Sequence, residues 1–290
     1  MRVLVTGGTG FVGRSLVVAF RDRGDDAVVV SRRPGPGEVG WEAIDSEVAH
    51  ADAVVHLAGE PIANARWTRR RLQRIRDSRV QPTRAIASAI ERSARKPRVF
   101  VSASAVGIYG MREDDEELDE SAPSADDVLA STAVAWEGAA DLPEGAGVRV
   151  VHPRIGIVLG RDGGALPRMA APYRWFAGGP LGTGRQWIGW IHLLDAVRAL
   201  VFAVDCDSLA GPVNVVAPEP VTMHALSQSI ARALHRPAAL RVPPFVLKLV
   251  LGRGLAQALL TGQRAVPRRL IEAGFVFRFP RIREACADLL

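Results

Sequence analysis

The sequence predicts an α/β chain: a doubly wound parallel sheet followed by a smaller C-terminal domain. Three observations predict it. Short β-rich apolar runs alternate with stretches of helical spacing through the first 160 residues, the pattern of a parallel sheet covered by helices. A glycine string, Gly7, Gly10 and Gly13, stands between the first run and the first helix. The texture then changes after Gly160, with glycine and proline dense from Gly178 to Gly184. At 290 residues, 48% apolar and 23% charged, the chain is long enough for one large domain and a smaller one. Its composition excludes a disordered, collagen-like or repeat-built protein.

The elements follow in order. Residues 3–5 form the first strand, ended by Gly7, and 13–23 form a helix with Leu16, Val17, Ala19 and Phe20 at helical spacing. Residues 27–30 are the second strand. The Pro34-Gly35-Pro36-Gly37 turn then places Trp41 on a short strand, and 53–57 form a further strand. Thr68 caps a helix through Arg79; Pro82, which suits a first turn better than an interior, starts another helix to Ser93. Strand 99–102, helix 126–141 and strand 148–152 complete the alternation. Beyond Gly160, strands are expected at 187–191 and 213–216, and helices at 195–204, 222–234 and, behind Pro243-Pro244, 245–260. The first domain therefore covers 1–160 with a return around 186–216, and 161–290 holds the smaller one.

The formal charge of +6 arises in a chain with only two lysines, Lys96 and Lys248, among its 37 cations. Its densest basic run, 66–79, reads as one helix face and is opposed by the acidic run 113–120. This is arginine-rich composition rather than the basic patch with interleaved aromatics that nucleic acid requires. No stretch reaches the ~18 apolar residues of a membrane span, and residues 3–5 run into glycines rather than into a secretory h-region. Cys206 and Cys286 form no disulfide framework, which suits a cytoplasmic location. The six histidines show no metal-binding spacing, so no metal site is expected.

Thr6-Gly7-Gly8-Thr9-Gly10-Phe11-Val12-Gly13 reads as a dinucleotide-binding turn of Rossmann type. Gly7 allows the tight turn, Gly10 lets the backbone approach a pyrophosphate, and Gly13 permits close helix–strand packing. Thr9, Phe11 and Val12 lie at the helix N-terminus, whose free N–H groups face the anion. An NAD site commonly ends its second strand with a carboxylate that binds the ribose hydroxyls. Here that strand ends Val30-Ser31-Arg32-Arg33, and Asp25 and Asp26 precede it. A hydroxyl and two guanidiniums suit a 2′-phosphate, so the expected cofactor is NADP(H). The competing reading is that Arg32 and Arg33 are simply solvated.

These residues resemble the extended short-chain dehydrogenase/reductases of the NAD-dependent epimerase/dehydratase type. The resemblance continues with Asp52-Ala53-Val54-Val55-His56-Leu57-Ala58-Gly59, where it implies that the backbone of Leu57, Ala58 and Gly59 lines the cofactor. It also continues with Ser102 to Gly110, like the serine segment that ends in Tyr-Gly. Closer still is an epimerase-like subgroup of bacteria and organelles. Its marks are Gly59-Glu60-Pro61-Ile62, Arg66-Trp67-Thr68, Ser78-Arg79-Val80, Trp136-Glu137, Gly178-Gly179-Pro180-Leu181-Gly182 and Trp190-Ile191-His192. Gly262-Gln263-Arg264 and Gly274-Phe275-Val276-Phe277 are similar to the small C-terminal domain of unknown function that this subgroup carries.

The family's usual chemistry uses Tyr-x-x-x-Lys. Only Tyr109 and Tyr173 exist, and four residues after them stand Glu113 and Ala177. The motif is absent from the chain. Matching Glu137 to the glutamate that often follows it puts Leu129 at the tyrosine and Ala133 at the lysine, and neither titrates. The resemblance then implies Ser104 as the catalytic serine, with Ser102 second and on the cofactor side. Glu137 is the candidate replacement acid or base, with a structural partner's role beside Trp136 as the competing reading, and Tyr109 either faces the nicotinamide or packs locally. Arg185, Trp190 and His192 are the candidate substrate-side residues; a structural hydrogen-bonding role competes for His192. Two functions are expected to compete. One is an NADP(H)-dependent oxidoreductase or epimerase-like enzyme acting on a small carbonyl or sugar-nucleotide-like substrate. The other is a non-catalytic NADP(H)-binding regulatory or redox-sensing module acting through a protein partner. By analogy, extended relatives imply a homodimer through helices near 82–93 and 126–141.

Overall fold

The computed structural model describes all 290 residues. The first half runs β1 (Arg2–Thr6), α1 (Phe11–Asp22), β2 (Asp26–Ser31), β3 (Glu38–Gly40), α2 (Ile44–His50), β4 (Ala53–His56), α3 (Arg69–Arg92), β5 (Val99–Ser102), β6 (Ser104–Ala105), β7 (Glu117–Leu118), α4 (Val128–Ala140) and β8 (Arg149–Ile155). The second half runs β9 (Ile157–Gly160), β10 (Gly163–Gly164), α5 (Leu166–Arg174), β11 (Trp187–Ile188), β12 (Trp190–His192), α6 (Leu193–Asp205), β13 (Gly211–Val215), β14 (Val221–Thr222) and α7 (Met223–Ala233). It closes with α8 (Pro244–Leu251), α9 (Arg253–Leu260), β15 (Arg264–Ala265), α10 (Arg268–Glu272) and α11 (Ile282–Leu289).

The main sheet is parallel, in the order β13-β8-β5-β4-β1-β2-β3, with β6 also on β8. Its strands are apolar on both sides because both faces are covered. Val3 and Val5 of β1 face Leu16, Val17 and Phe20 of α1 and Leu200 and Val204 of α6. Leu4, Val54 and Phe100, from β1, β4 and β5, face Ile86 and Ile90 of α3 and Val48 of α2. A second core, around Leu159, Leu166, Tyr173, Trp190, Leu226 and Cys286, holds the smaller domain together.

Several boundaries differ from expectation for identifiable reasons. Residues 69–92 form one helix rather than two, with Pro82 inside it and Thr68 accepting from Arg71 N as its cap. Proline removes only one backbone bond, and burial of Ile75, Ile86 and Ile90 on either side outweighs that loss. Trp41 starts a short 3-10 turn, and Glu38–Gly40 is the strand. The expected helix 245–260 splits at Gly252, whose φ of +82° ends α8 and begins α9. The expected strand at 187–191 is two short strands in different sheets, β11 on β14 and β12 on β9. The C-terminal part is also less separate than 161–290 implies. Beyond the expected return of α6 and β13, Leu270 and Phe275 come back to the core under α1 and α6. Asp195, fully buried at the start of α6, accepts the backbone N–H groups of Arg278 and Phe279.

Candidate functional site

The glycine-rich turn follows β1 at the carboxyl end of the sheet. Gly7 has φ +75°, and Gly10 N donates to Gly7 O at 2.9 Å. A Cβ at Gly7 would stand 2.7 Å from Ala58 N, so the turn packs directly on the Leu57–Ala58 backbone. A Cβ at Gly13 would overlap Gly7 O and lie 2.8 Å from Gly8 Cα. Gly10 caps α1 without a side-chain acceptor, and no acidic residue occupies the first turn. The orphan N–H groups of Phe11, Val12 and Gly13 are therefore left for an anion. Phe11 has a further role: its ring lies on the β9–β10 hairpin, where a Cβ at Gly160 would come within 2.5 Å and one at Gly164 within 2.7 Å. Thr9 is exposed at the tip of the turn.

At the end of β2, Ser31 Oγ and the Arg33 backbone bond to each other. Arg32 and Arg33 are exposed. The side chains of both are free of protein acceptors.

A polar row crosses the same end of the sheet. Thr6, His56 and Ser102 pair in register across β1, β4 and β5. Each lies two residues beyond Leu4, Val54 and Phe100, and so on the face covered by α3. All three are fully buried. Thr6 Oγ1 and His56 Nδ1 share a hydrogen bond, whereas His56 Nε2 and Ser102 Oγ find no partner. Burial first, and the charge of Arg79 second, push the His56 pKa down to about 3, so the ring is neutral.

Ser104 and Glu137 are brought together. Ser104 Oγ donates to Glu137 Oε1 at 2.6 Å. The carboxylate is gripped by Arg154 of β8, with Nε to Oε1 and Nη2 to Oε2 both at 2.9 Å. Burial disfavours the Arg154 charge, but the bonds and charge of Glu137 more than reverse this and hold its pKa above the ordinary value. Arg154 Nη1 donates to Tyr109 Oη at 3.0 Å, and Tyr109 Oη donates to Asn214 Oδ1 at 2.7 Å. Burial raises the Tyr109 pKa, with Arg154 acting the other way.

Four expectations are corrected or qualified here. Tyr109 is 1% exposed, and its hydroxyl is taken up by Asn214 and Arg154, which fits the local-packing reading over the nicotinamide-facing one. Trp190 is fully enclosed in the second core, its Nε1 donating to Glu219 O, and offers no substrate contact. His192 caps α6: its Nδ1 accepts from Leu194 N, Nε2 pairs with Asp288 at 3.3 Å, and the ring stacks on Phe279 at 3.9 Å. Arg185 is exposed, and its side chain is not brought to the Ser104–Glu137 pair by any contact.

The sequence reading missed Arg154 and Asn214, and named Arg79 only within the mark Ser78-Arg79-Val80, without a role. For Arg154 a signal existed: an arginine inside the apolar run of residues 148–160 must either find a buried partner or break the strand. It also missed that Asp141, Glu144 and His152 come together, their ligand-type atoms within 4.8 Å of one another. His152 Nε2 and Asp141 Oδ1 share a hydrogen bond there at 2.8 Å.

A cavity of about 730 Å³ opens beside Tyr109 and Gly110, lined in part by Trp67, Leu72, Met111, Val128 and Gln257. Glu113, Asp114, Asp126 and Asp127 also line it against a single cation, Arg112, which pairs with Asp114 and Glu116.

A doubly wound sheet with a glycine-rich turn at its carboxyl edge, and a smaller C-terminal region with a second core, defines a protein of the dinucleotide-binding fold. The family follows from comparison: residues 3–217 match the NAD dependent epimerase/dehydratase family, and 242–289 match a domain of unknown function. The chain belongs to that family. It is 39% identical over 300 residues to the epimerase family protein YfhF of Bacillus subtilis, covering 100% of this chain and 98% of that one. It is 41% identical over 305 residues to a chloroplastic SDR39U1 homologue of Arabidopsis thaliana, covering 100% and 87%. Among solved structures it is similar to human epimerase family protein SDR39U1 with NADPH. The TM-score is 0.95 at 37% identity, covering 100% of this chain and 99% of that one. No helix is long and apolar enough to cross a membrane.

Proposed function

We propose that this protein is an NADP(H)-dependent oxidoreductase of the epimerase type that handles protons through Ser104 and Glu137 in place of the Tyr–Lys pair. The observation that carries the proposal is the 2.6 Å bond from Ser104 Oγ to a carboxylate fixed on its other side by Arg154. The cofactor assignment has its own support. The turn around Gly7 and Gly13 has no room for side chains, and Arg32 and Arg33 offer two unengaged guanidiniums to a 2′-phosphate. The human relative was crystallised with NADPH.

Bound there, the nicotinamide supplies the hydride acceptor or donor. The chain's residues supply the proton path. In the direction of alcohol oxidation, Ser104 Oγ accepts the proton of the substrate hydroxyl as its own proton passes to Glu137 Oε1. Arg154 holds the carboxylate in register, and reduction runs the same path in reverse. The cavity beside Tyr109, lined by neither Ser104 nor Glu137, is the approach by which substrate comes to that pair. Its carboxylates favour an uncharged small carbonyl compound over a sugar nucleotide, whose diphosphate they would repel. The protein works in the cytoplasm, as a homodimer through the outer sides of α3 and α4.

The test is NADPH oxidation against panels of ketones, aldehydes and sugar nucleotides, with Ser104→Ala and Glu137→Gln as controls. Turnover lost in both variants while NADPH still binds supports the reading; turnover unaffected by both refutes it. One observation favours a second reading, a redox-sensing module acting through a protein partner: the chain holds no Tyr-x-x-x-Lys anywhere. Partner capture that changes between NADP⁺ and NADPH, with no turnover on any panel, would favour it.

A further inference from the structure

Two stretches of the smaller domain carry no acidic residue. The chain has 31 carboxylate side chains, yet none falls between Asp162 and Asp195 or between Glu219 and Glu272, while arginines recur through both. The fold ties these stretches together. Leu240 N donates to Gly178 O and Val242 N to Pro180 O, both at 3.1 Å, and Gly182 N donates to Val242 O at 2.9 Å.

Apolar groups that face solvent flank this seam. Trp175 and Phe176, where α5 ends, are 84% and 61% exposed, and Leu240 is 54% exposed. On the other side, α8 begins. At no more than ~3.6 Å per residue, Phe245 stays within about 11 Å of Val242. Phe245 and Leu249 stand one turn apart on α8, 70% and 73% exposed, and Leu247 is the only residue that the helix buries. The last carbonyls of α8 are held from the larger domain by Arg66, with Nη2 to Leu249 O at 2.6 Å and Nε to Val250 O at 3.0 Å. The helix is therefore fixed in place with its apolar outer face bare.

The cations among these groups are unpaired. Arg174, Arg241 and Lys248 are exposed and make neither hydrogen bond nor ion pair within the chain. Arg236 lies with its Cζ 4.7 Å from the Phe176 ring centre, which sets a further charge beside the exposed rings. Bare aromatic and aliphatic groups, interleaved with free cations and no carboxylate, complement an anionic layer over an apolar one. A second copy of the chain would instead set the same cations face to face. We propose that the Trp175–Phe176 bend and the outer face of α8 dock on a membrane surface rich in anionic lipid. The rings lie at headgroup level, and Arg174, Arg241 and Lys248 meet the lipid phosphates. Since no helix can cross a membrane, the contact is peripheral.

Flotation of the full-length protein with vesicles tests this. Phosphatidylcholine vesicles with about one third phosphatidylglycerol should carry the protein, those of phosphatidylcholine alone should not, and binding should fall at least tenfold at ~0.5 M salt. Trp175→Ser with Phe176→Asn, and separately Phe245→Ser with Leu249→Ser, should each weaken binding about tenfold or more through lost apolar contact. Asparagine suits the φ of +56° at position 176. All four side chains are exposed, so the fold should hold, as an unchanged urea midpoint would verify. Arg174→Gln with Lys248→Gln should cost roughly fivefold per charge. No flotation with the anionic vesicles overturns the proposal. So does equal binding to both vesicle types. Undiminished binding by the aromatic variants also overturns it, because only diffuse attraction of a basic protein then remains. Polyglutamate bound as tightly as the vesicles would make the face a site for an acidic protein. A dimer lost in Phe245→Ser with Leu249→Ser, without vesicle binding, would make it a contact between copies. Either result overturns the membrane assignment.

Discussion

Replacing Glu137 by glutamine is expected to destabilise the protein by about 3 kcal/mol, and the reason lies in Arg154. The two side chains are 13% and 9% exposed and meet through two parallel bonds of 2.9 Å. Glutamine keeps one carbonyl oxygen but sets an NH₂ group against the other guanidinium N–H. Arg154 stays charged, with only Tyr109 Oη and Glu120 O, both neutral, as further acceptors. Breaking a buried pair from one side typically costs ~3–5 kcal/mol, and the retained carbonyl places Glu137→Gln at the lower end. Arg154→Met strands the carboxylate instead and should cost a similar amount. The double variant removes both charges, so its loss should fall short of the sum by about 1–3 kcal/mol. Urea unfolding of the full-length protein, with the slope checked for constancy, measures all four states. Losses that add to within ~0.5 kcal/mol would show that the pair is not coupled and would remove its role in holding Ser104. Turnover gives the parallel test. Ser104→Ala and Glu137→Gln should each lower kcat about 100-fold, and the double variant little further, because the two act as one path.

Other outcomes follow from the same geometry. Arg32→Glu with Arg33→Ala should weaken NADPH by at least 100-fold on the scale of lost charge-assisted bonds, and NADH far less; equal losses by calorimetry would show that the 2′-phosphate assignment is mistaken. Gly13→Ala should cost about 1–3 kcal/mol and most of the NADPH affinity, since its methyl group would meet the backbone of Gly7 and Gly8 rather than movable side chains. A variant as stable and as tightly binding as the unaltered chain would count against the close helix–strand contact. For pH, His56 has a folded pKa of about 3 against an ordinary 6.5. The unfolded chain binds a proton that the folded chain refuses. Stability present above about pH 6.5 is therefore lost as pH falls toward 3, by up to ~1.4 kcal/mol per unit. His56→Gln should flatten the slope between about pH 6 and 4.5, leaving the smaller part from His192, whose pKa burial also lowers. An unchanged slope would place the protonation elsewhere.

The parts of this protein that were legible in the sequence are those fixed by local rules. The turn at Gly7–Gly13 could be read because a positive φ and a backbone contact each demand glycine, and the strands because burial on both faces leaves them apolar. Ser104 and Glu137 were readable as candidates, but their 2.6 Å contact was not, because it joins β6 to α4 across 33 positions. Arg154 completes that contact from a third element, and no spacing rule links a strand arginine to a helix glutamate. Tyr109 and His192 show the converse failure. Both occupy motif positions that suggest chemistry, yet Asn214 and Phe279, brought in from distant segments, turn them into packing groups. The lysine count follows the same logic. This chain has only two lysines and no Tyr-x-x-x-Lys, and sequence alone records only that absence. The fold shows a largely buried cation, Arg79 on α3, facing Trp136 on α4. That contact joins two helices across 57 positions, and no spacing rule in the sequence records it.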